Sequence, residues 1–356
     1  MKPLPPGSVI GILGGGQLGR MLAMAAAELG FDVHIYTPEA DSPASRVAAR
    51  TTVAPFDDAE ALARFASGVD VVTTEFENVP ADTTRVLVAA GAIVHPNPEA
   101  LAIAQDRVAE KNFFNECGIA TAPFAAVDSR ADLDAALKQI GAPAILKTRR
   151  LGYDGKGQAR IATLAEADAA YAALGGQPAI LEGFCAFERE VSIVAARTIH
   201  NGFAPYDLVE NVHANGILAR TLAPARVDAR VQQQAAGLAD IVGDALDYAG
   251  VFAVEFFLMA DGSLIANEMA PRVHNSGHWT QDACAASQFE QHIRAIADWP
   301  LASPERLCDA EMINLIGADA EDWTKYAAQP DACVHLYGKR DALPGRKMGH
   351  VTRLKR

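Results

Sequence analysis

A short apolar run, Val9–Leu13, gives way to three consecutive glycines, Gly14-Gly15-Gly16, and then to an Ala/Leu/Met-rich stretch, Gln17–Leu29, that stops at Gly30. A strand that leaves its sheet through a glycine turn and a helix rejoins it as a parallel neighbour, by a crossover. The pattern recurs. Asp32–Tyr36 reads as a second strand, Asp57-Asp58-Ala59-Glu60 as a helix start, Val69–Thr73 as a third strand and Ala81–Ala90 as a helix. This alternation predicts an α/β unit whose parallel sheet is covered by helices.

Gly14, Gly16 and Gly19 satisfy G-x-G-x-x-G at the start of a helix, where backbone N–H groups attract phosphate. A dinucleotide site would also need an acidic residue closing the second strand. That strand ends Tyr36-Thr37-Pro38, and Glu39 comes only after the proline. The reading therefore favours a phosphate-bearing ligand other than a nicotinamide dinucleotide, with a purely structural turn as the alternative.

Downstream, Asn97-Pro98 supplies an N-cap and a first-turn proline for a helix running to about Cys117 and stopping at Gly118. Residues 121–184 read as a small α/β unit: a helix near Arg130–Ile140, a strand Ala144–Thr148, a glycine-rich loop, a strand, a helix from Thr163 and a strand Ala179–Glu182. Residues 186–300 read as longer strands with two helices, Asp228–Tyr248 and Gln281–Asp298, and residues 301–356 as a tail with strand-like pieces.

The loop after Ala144–Thr148 holds Lys147, Arg149, Arg150 and Lys156 among Gly152, Gly155 and Gly157. Glycines allow close backbone approach, and clustered cations suit a polyphosphate. The chain has 44 acidic and 31 basic residues and a net charge of -13, so this local inversion favours a binding role over a solvated basic hairpin. It is not a Walker A loop, because glycine rather than Ser or Thr follows Lys156. The global charge argues against non-specific nucleic-acid binding. Five scattered cysteines with no C-x-x-C pair exclude a disulfide scaffold and a thiolate zinc site and suit a reducing cytosol. No apolar run reaches the roughly 18 residues of a membrane span, and Pro3, Pro5 and Pro6 do not suit a signal peptide.

Val251–Met259 and Ser263–Met269 flank Ala260-Asp261-Gly262, where Asp-Gly predicts a two-residue type I′ hairpin. With Ala260 facing Ser263, Glu255 faces Glu268. Like charges set directly opposite repel, so a proton, an Arg or Lys, or a divalent cation must neutralise them. Mg²⁺ with a nucleotide is the favoured reading, and a salt-bridged structural pair the alternative. Arg272, His274, Asn275, Ser276 and His278 follow closely. Pro271 and Gly277 disfavour a helix offering both histidines to zinc, which leaves an anion-handling loop with a proton-transfer histidine.

Five stretches occur in order: Gly14–Arg20 (GGGQLGR), Thr74–Pro80 (TEFENVP), Gly152–Gln158 (GYDGKGQ), Asn267–Trp279 (NEMAPRVHNSGHW) and Gly345–His350 (GRKMGH). Together they closely resemble the N5-carboxyaminoimidazole ribonucleotide synthases, the ATP-grasp carboxylases of purine biosynthesis. The resemblance covers nearly the whole chain, and Asn267–Trp279 is its most specific part. It implies an ATP-grasp fold with an N-terminal Rossmann-like domain of the biotin-carboxylase type. The implied domains are residues 1–103, a linker helix and lid over 104–185, and a C-terminal domain over 186–356.

By position, the resemblance puts Arg107, Lys147, Gly152, Tyr153, Asp154, Gly155, Lys156, Gly157, Gln158, Glu182, Gly183, Phe184, Cys185, Glu190, His213, Asn267 and Glu268 at ATP. Lys147 would contact phosphate, Glu182 and its neighbours adenine, and Glu190 the ribose. Glu255 and Glu268 would bind Mg²⁺. Aminoimidazole ribonucleotide would face Gly15, Gly16, Gln17, Leu18, Glu77, Tyr153, Asp154, Lys156, Arg272, Arg346 and Lys347. Arg272, His274, Asp154 and Lys347 would be catalytic, with His274 or Asp154 moving the amine proton. The implied reaction joins bicarbonate to the ribonucleotide amine through carboxyphosphate, in a cytoplasmic homodimer that binds neither nucleic acid nor membrane. A formate-using ATP-grasp relative, a nicotinamide oxidoreductase and a non-catalytic nucleotide binder are the alternatives.

Overall fold

The computed structural model describes residues 2–152 and 157–355 and arranges them around three sheets. The predicted site residues Tyr153, Asp154, Gly155 and Lys156 lie outside the described residues.

The N-terminal sheet is parallel, as the alternation predicts, in the order Arg50–Val53, Asp32–Thr37, Val9–Leu13, Val71–Thr74. Its edge strand Arg50–Val53 has no apolar run and stays half-solvated, so no hydrophobic signal announced it. Helices Gln17–Glu28, Ala59–Ala66 and Ala81–Ala89 fall close to their predicted places.

The single helix expected over residues 97–117 is two, Pro98–Ala104 and Arg107–Glu116. Asp106 breaks it. Its backbone is extended, and its carboxylate accepts the N–H groups of Val108 and Ala109 at 3.1 and 3.3 Å. The same carboxylate takes Arg149 Nε at 2.7 Å, so the break is anchored to the strand that carries Lys147. Arg107 thereby becomes the first residue of a helix.

The second sheet is antiparallel, in the order Phe124–Val127, Ala179–Gly183, Ala144–Thr148, Gln158–Ile161. Helices Arg130–Ile140 and Ala167–Ala173 cover it, and Val127, Leu133, Leu137, Leu146, Ile161 and Leu181 form a core drawn entirely from this unit.

The third sheet has nine strands. Its main path runs Leu264–Ala270, Gly250–Leu258, Arg189–Arg197, Val209–Ala214, Ile217–Ala223, Asp309–Ile316, Lys347–Lys355, Ala332–Leu336, and Phe203–Pro205 pairs with Arg189–Arg197. The expected C-terminal tail is therefore three strands, and Asp309–Ile316 sits in the sheet interior. The helix expected over Gln281–Asp298 is also split, into Thr280–Ala283 and Gln288–Ile296, because the Ser287 side chain caps the second piece through Glu290 N–H.

Helix Gln17–Glu28 packs on Gln288–Ile296, and Leu22, Val33, Trp279, Phe289 and Ile293 share one core. Each such side chain, fully buried, contributes about 1.5–3 kcal/mol. The N-terminal sheet is thus fused to the large sheet, whereas the middle unit keeps its own core.

His292, fully buried, pins that junction. Val251 N–H donates to its Nδ1 at 3.0 Å, so Nε2 carries the hydrogen and donates to Thr73 Oγ1 at 2.8 Å. Burial pushes His292 down to about 3, so it is neutral when folded and takes up a proton on unfolding below its ordinary value of 6.5. The unfolded state then binds more protons, and stability falls as pH drops from about 6.5 towards 3, by about 2 kcal/mol at pH 5 from this group. Melting temperature measured against pH should fall less steeply between pH 6.5 and 5 in His292→Gln than in the unaltered chain. Equal slopes would show that His292 is not held neutral.

Candidate active site

Strands Gly250–Leu258 and Leu264–Ala270 set Glu255 opposite Glu268, as the sequence predicts, but by another route. Met259 and Ser263 close a three-residue turn, through Met259 N–H to Ser263 O and Gly262 N–H to Met259 O, both 2.9 Å. Gly262 takes φ +82°, the left-handed end of such a loop, so the predicted two-residue type I′ turn is corrected. Leu258 consequently faces Leu264, and Phe256 faces Ala266, one residue off the predicted register. A β-bulge at Asn267 absorbs the extra residue and returns Glu255 to Glu268.

Each carboxylate has its own partner. Arg107 Nη1 donates to Glu268 Oε2 at 2.9 Å, and Arg107 Nη2 donates to Gly152 O at 3.2 Å. Burial pushes the Glu268 carboxyl up, but the Arg107 guanidinium outweighs that and holds it at about 2. Glu110, which accepts Met269 N–H at 2.7 Å, is pushed up by burial and by the Glu268 charge. Glu255 Oε1 lies 3.1 Å from His274 Nε2.

The tautomer of His274 follows from its neighbours. Asn211 Nδ2–H donates to Ser192 Oγ at 2.8 Å, and Ser192 Oγ–H to Ser276 Oγ at 2.7 Å. With that oxygen accepting, the Ser276 hydroxyl turns its own hydrogen to His274 Nδ1 at 2.8 Å. Nδ1 is therefore an acceptor, and the hydrogen sits on Nε2, facing Glu255. His278 is fully buried, with its Nδ1 3.0 Å from Gln288 Nε2.

On the facing unit, Lys147 Nζ donates to Glu182 Oε2 at 2.8 Å. Lys111, which the sequence reading missed, approaches the same oxygen at 3.9 Å and donates to Asn267 O at 2.7 Å. Burial pushes Glu182 up, but Lys147 and Lys111 outweigh it and hold the carboxyl below its ordinary value. Glu182 Oε1 and Asn267 Oδ1 are both buried without a partner among the described residues. Two carboxylates beside an unpartnered amide oxygen are a donor set that suits a hard divalent cation.

Glu190 and His213 are in direct contact; burial pushes His213 down, but Glu190 holds it above its ordinary value. Gly157 has φ +68°, and a Cβ there would stand 2.6 Å from Thr148 Oγ1, so the loop must close on glycine. Gln158 opens the next strand opposite Lys147. Gly183 N–H is taken by Pro123 O at 2.8 Å and Phe184 N–H by Pro143 O at 3.2 Å, while the exposed Phe184 ring lies 5.1 Å from the Arg160 guanidinium carbon. Cys185, beside them, is partly buried.

Beside the hairpin, Arg272 Nε pairs with Glu77, which joins the strand after the bulge to the loop after Val71–Thr74. Burial pushes Glu77 up, but Arg272 outweighs it and lowers the carboxyl. Lys347 opens strand Lys347–Lys355, and its carbonyl takes Lys339 Nζ at 2.7 Å. Arg346 bonds Asp341 O at 3.3 Å. Gly15 and the N-cap Gly16 lead into the first helix, which Gln17 and Leu18 begin. Within that loop Gly16 N–H and Gly19 N–H both donate to the buried Glu75 carboxylate. A separate cluster, Asp282, His335 and His350, brings ligand atoms within 4.8 Å of one another. The two rings stack 15° from parallel, so their in-plane lone pairs do not converge on one ion.

Lys111→Met should lower stability by about 3–5 kcal/mol, because it strips a buried carboxylate of one cation and the carbonyls of Asn267 and Ala266, the latter 3.3 Å from Nζ, of their donor. Urea unfolding measures this; a loss under about 1 kcal/mol would mean that Lys111 is not integral to the cluster.

The description "ATP-grasp domain" fits residues 112–289, "Ribonucleotide synthetase preATP-grasp domain" residues 8–105 and "Phosphoribosylaminoimidazole carboxylase C-terminal domain" residues 310–356. The N5-carboxyaminoimidazole ribonucleotide synthase of Brucella melitensis biotype 1 is 55% identical, over 99% of this chain and 98% of its own length. That of Bacillus subtilis is 41% identical, over 98% of this chain and 92% of its own. Among solved structures, an N5-carboxyaminoimidazole ribonucleotide synthetase in complex with ADP superimposes with a TM-score of 0.95 at 39% identity, covering 100% of this chain and 94% of that one. The Aspergillus clavatus synthase with ADP and 5-aminoimidazole ribonucleotide gives 0.92 at 34% identity, covering 98% and 94%.

Proposed function

The chain belongs to the N5-carboxyaminoimidazole ribonucleotide synthases, a family of ATP-grasp ligases, and on that premise we propose how its residues divide the work of the reaction. It carboxylates 5-aminoimidazole ribonucleotide with ATP and bicarbonate, in purine biosynthesis. The observation that carries the residue assignment is the clustering of Arg107, Lys147, Glu182 and Glu268 in two neighbouring ion pairs, with Arg272 and Glu77 paired nearby.

A bicarbonate oxygen attacks the γ-phosphorus, the bond to the β-bridging oxygen breaks, and ADP leaves. The amine nitrogen then attacks the carboxyphosphate carbon, inorganic phosphate departs and the nitrogen gives up a proton. Bicarbonate is a weak nucleophile, so charge neutralisation and positioning carry the rate. Lys147 and Arg107 offset phosphate charge. Glu182, with an unpartnered oxygen, suits the adenine amine, and Glu190 the ribose. Gly152 to Gln158 would wrap the phosphates, with Gly183, Phe184 and Cys185 behind the base and His213 beside Glu190. Glu255 and Glu268, with Asn267, would hold Mg²⁺, which when bound supplies positive charge at the phosphates.

Arg272 would hold the anionic intermediate, and Lys347, with Arg346, the ribonucleotide phosphate. His274 presents Nε2–H, so it suits an anionic oxygen as a donor, and this favours Asp154 for the amine proton. The middle unit, with its own core, suits a lid over residues 104–185 that closes to shield carboxyphosphate from water, between an N-terminal domain over 1–103 and a C-terminal one over 186–356. No described helix is long and apolar enough to cross a membrane. A cytoplasmic homodimer is the expected state.

ADP release should require bicarbonate and rise strongly with 5-aminoimidazole ribonucleotide; release that ignores both would overturn the reading. Lys347→Ala should raise the KM for the ribonucleotide roughly ten- to hundredfold and spare the KM for ATP, and Lys147→Ala should do the reverse. An effect of Lys347→Ala confined to ATP would overturn the division of residues.

A further inference from the structure

The helix Gln17–Glu28 has 12 residues, no acidic residue in its first turn and no cap from its own N-terminal side chains. Its positive end is met instead by Glu75, the residue after strand Val71–Thr74. Gly16 N–H donates to Glu75 Oε1 at 2.7 Å and Gly19 N–H to Glu75 Oε2 at 3.0 Å, so one carboxylate spans the amides that a dinucleotide fold presents to pyrophosphate. Glu75 is 7% exposed, and its own N–H donates to Leu13 O at 3.0 Å, which fixes it to the strand that leads into the turn.

The glycines match this occupant. A Cβ on Gly14 would stand 2.5 Å from Glu75 Cγ, and one on Gly16 2.7 Å from Glu75 Oε1; Gly14 also has φ +107°. The room a carboxylate needs therefore explains Gly14 and Gly16, while at Gly19 the Gly14 carbonyl, 3.1 Å from a Cβ, is the nearest obstacle. Burial, with the Glu77 charge, pushes the Glu75 carboxyl above its ordinary value, and the Gly16 and Gly19 amides and the Arg272 charge oppose that rise; it is the two N–H groups, one on each oxygen, that favour the carboxylate form. Behind it lies the Arg272–Glu77 pair, and in front begin Gln17 and Leu18.

We propose that Glu75 is a built-in anion that fills the phosphate cradle of the glycine turn, closes it to dinucleotides and positions Gln17, Leu18 and the Arg272–Glu77 pair for the ribonucleotide. The positioning role rests on the carboxylase reading; the filled cradle does not. Glu75 is a positioning residue, since it acts on substrate through the turn and through Arg272.

The test uses the full chain with Glu75→Ala and the isosteric Glu75→Gln, with acetate as a small carboxylate that fits the emptied cradle. In Glu75→Ala the KM for 5-aminoimidazole ribonucleotide should rise roughly tenfold or more while the KM for ATP stays within about twofold. Acetate at constant ionic strength should lower the raised KM, and chloride should not. Acetate should also raise the melting temperature of Glu75→Ala and leave that of the unaltered chain in place. If Glu75→Ala does not fold, Glu75→Gln, which keeps one acceptor, should still raise the ribonucleotide KM several-fold. A folded variant with an unchanged ribonucleotide KM, or one whose ATP and ribonucleotide KM rise together and ignore acetate, overturns the positioning role. If the unaltered chain does not consume the ribonucleotide, the carboxylase reading fails instead, and the acetate effect on melting temperature decides the filled cradle alone.

Discussion

Two carboxylates on neighbouring strands, Glu255 and Glu268, are the constraint around which the candidate site is organised. In water such a pair would cost little, but away from water like charges are tolerable only if a cation or a hydrogen-bond donor is brought to each. The chain brings these partners from other segments. Arg107 comes from the helix after the N-terminal sheet, and His274 from the loop beyond the hairpin. Asp106 fixes where Arg107 begins its helix and is itself held by Arg149. Holding one charge pair together therefore ties the middle unit, the linker helix and the large sheet at a single place.

The packing divides the molecule in a way that suits chemistry between two substrates. The N-terminal sheet and the large sheet share one apolar core, with His292 bonding to both, so Glu77 and Arg272 meet across a rigid junction. The middle unit meets the rest mainly through polar contacts such as Arg107 to Gly152. Such contacts exchange readily with water or with a ligand's phosphates, whereas a buried apolar face does not. A nucleotide bound there would replace internal ion pairs, among them Lys147 with Glu182, by contacts of its own.

Much of this was legible in the sequence. The parallel N-terminal sheet followed from alternating strand and helix patterns, and the Glu255–Glu268 pairing from an Asp-Gly hairpin. The second success came through two offsetting departures: a three-residue turn moved the register by one residue, and the bulge at Asn267 moved it back. A bulge has no compositional signature, so only the structure shows it. Asp106 and Ser287 interrupted helices that periodicity ran together, because a capping residue inside an amphipathic run changes the pattern very little. The edge strand Arg50–Val53 and the tail strands lacked clean apolar alternation. Lys111 reads in sequence as a solvated helix residue, and its burial depends on long-range contacts with Glu182 and Asn267. The glycine fingerprint was visible and its occupant was not, since Glu75 lies 59 residues from Gly16.

The central claim, that bicarbonate is activated by phosphoryl transfer before the amine is carboxylated, is tested most directly with ¹⁸O-labelled bicarbonate. The oxygen that attacks the γ-phosphorus stays on phosphorus when the carbon–oxygen bond breaks. The account predicts one ¹⁸O in the inorganic phosphate for each molecule of carboxylated ribonucleotide formed. Full turnover with unlabelled phosphate would contradict it.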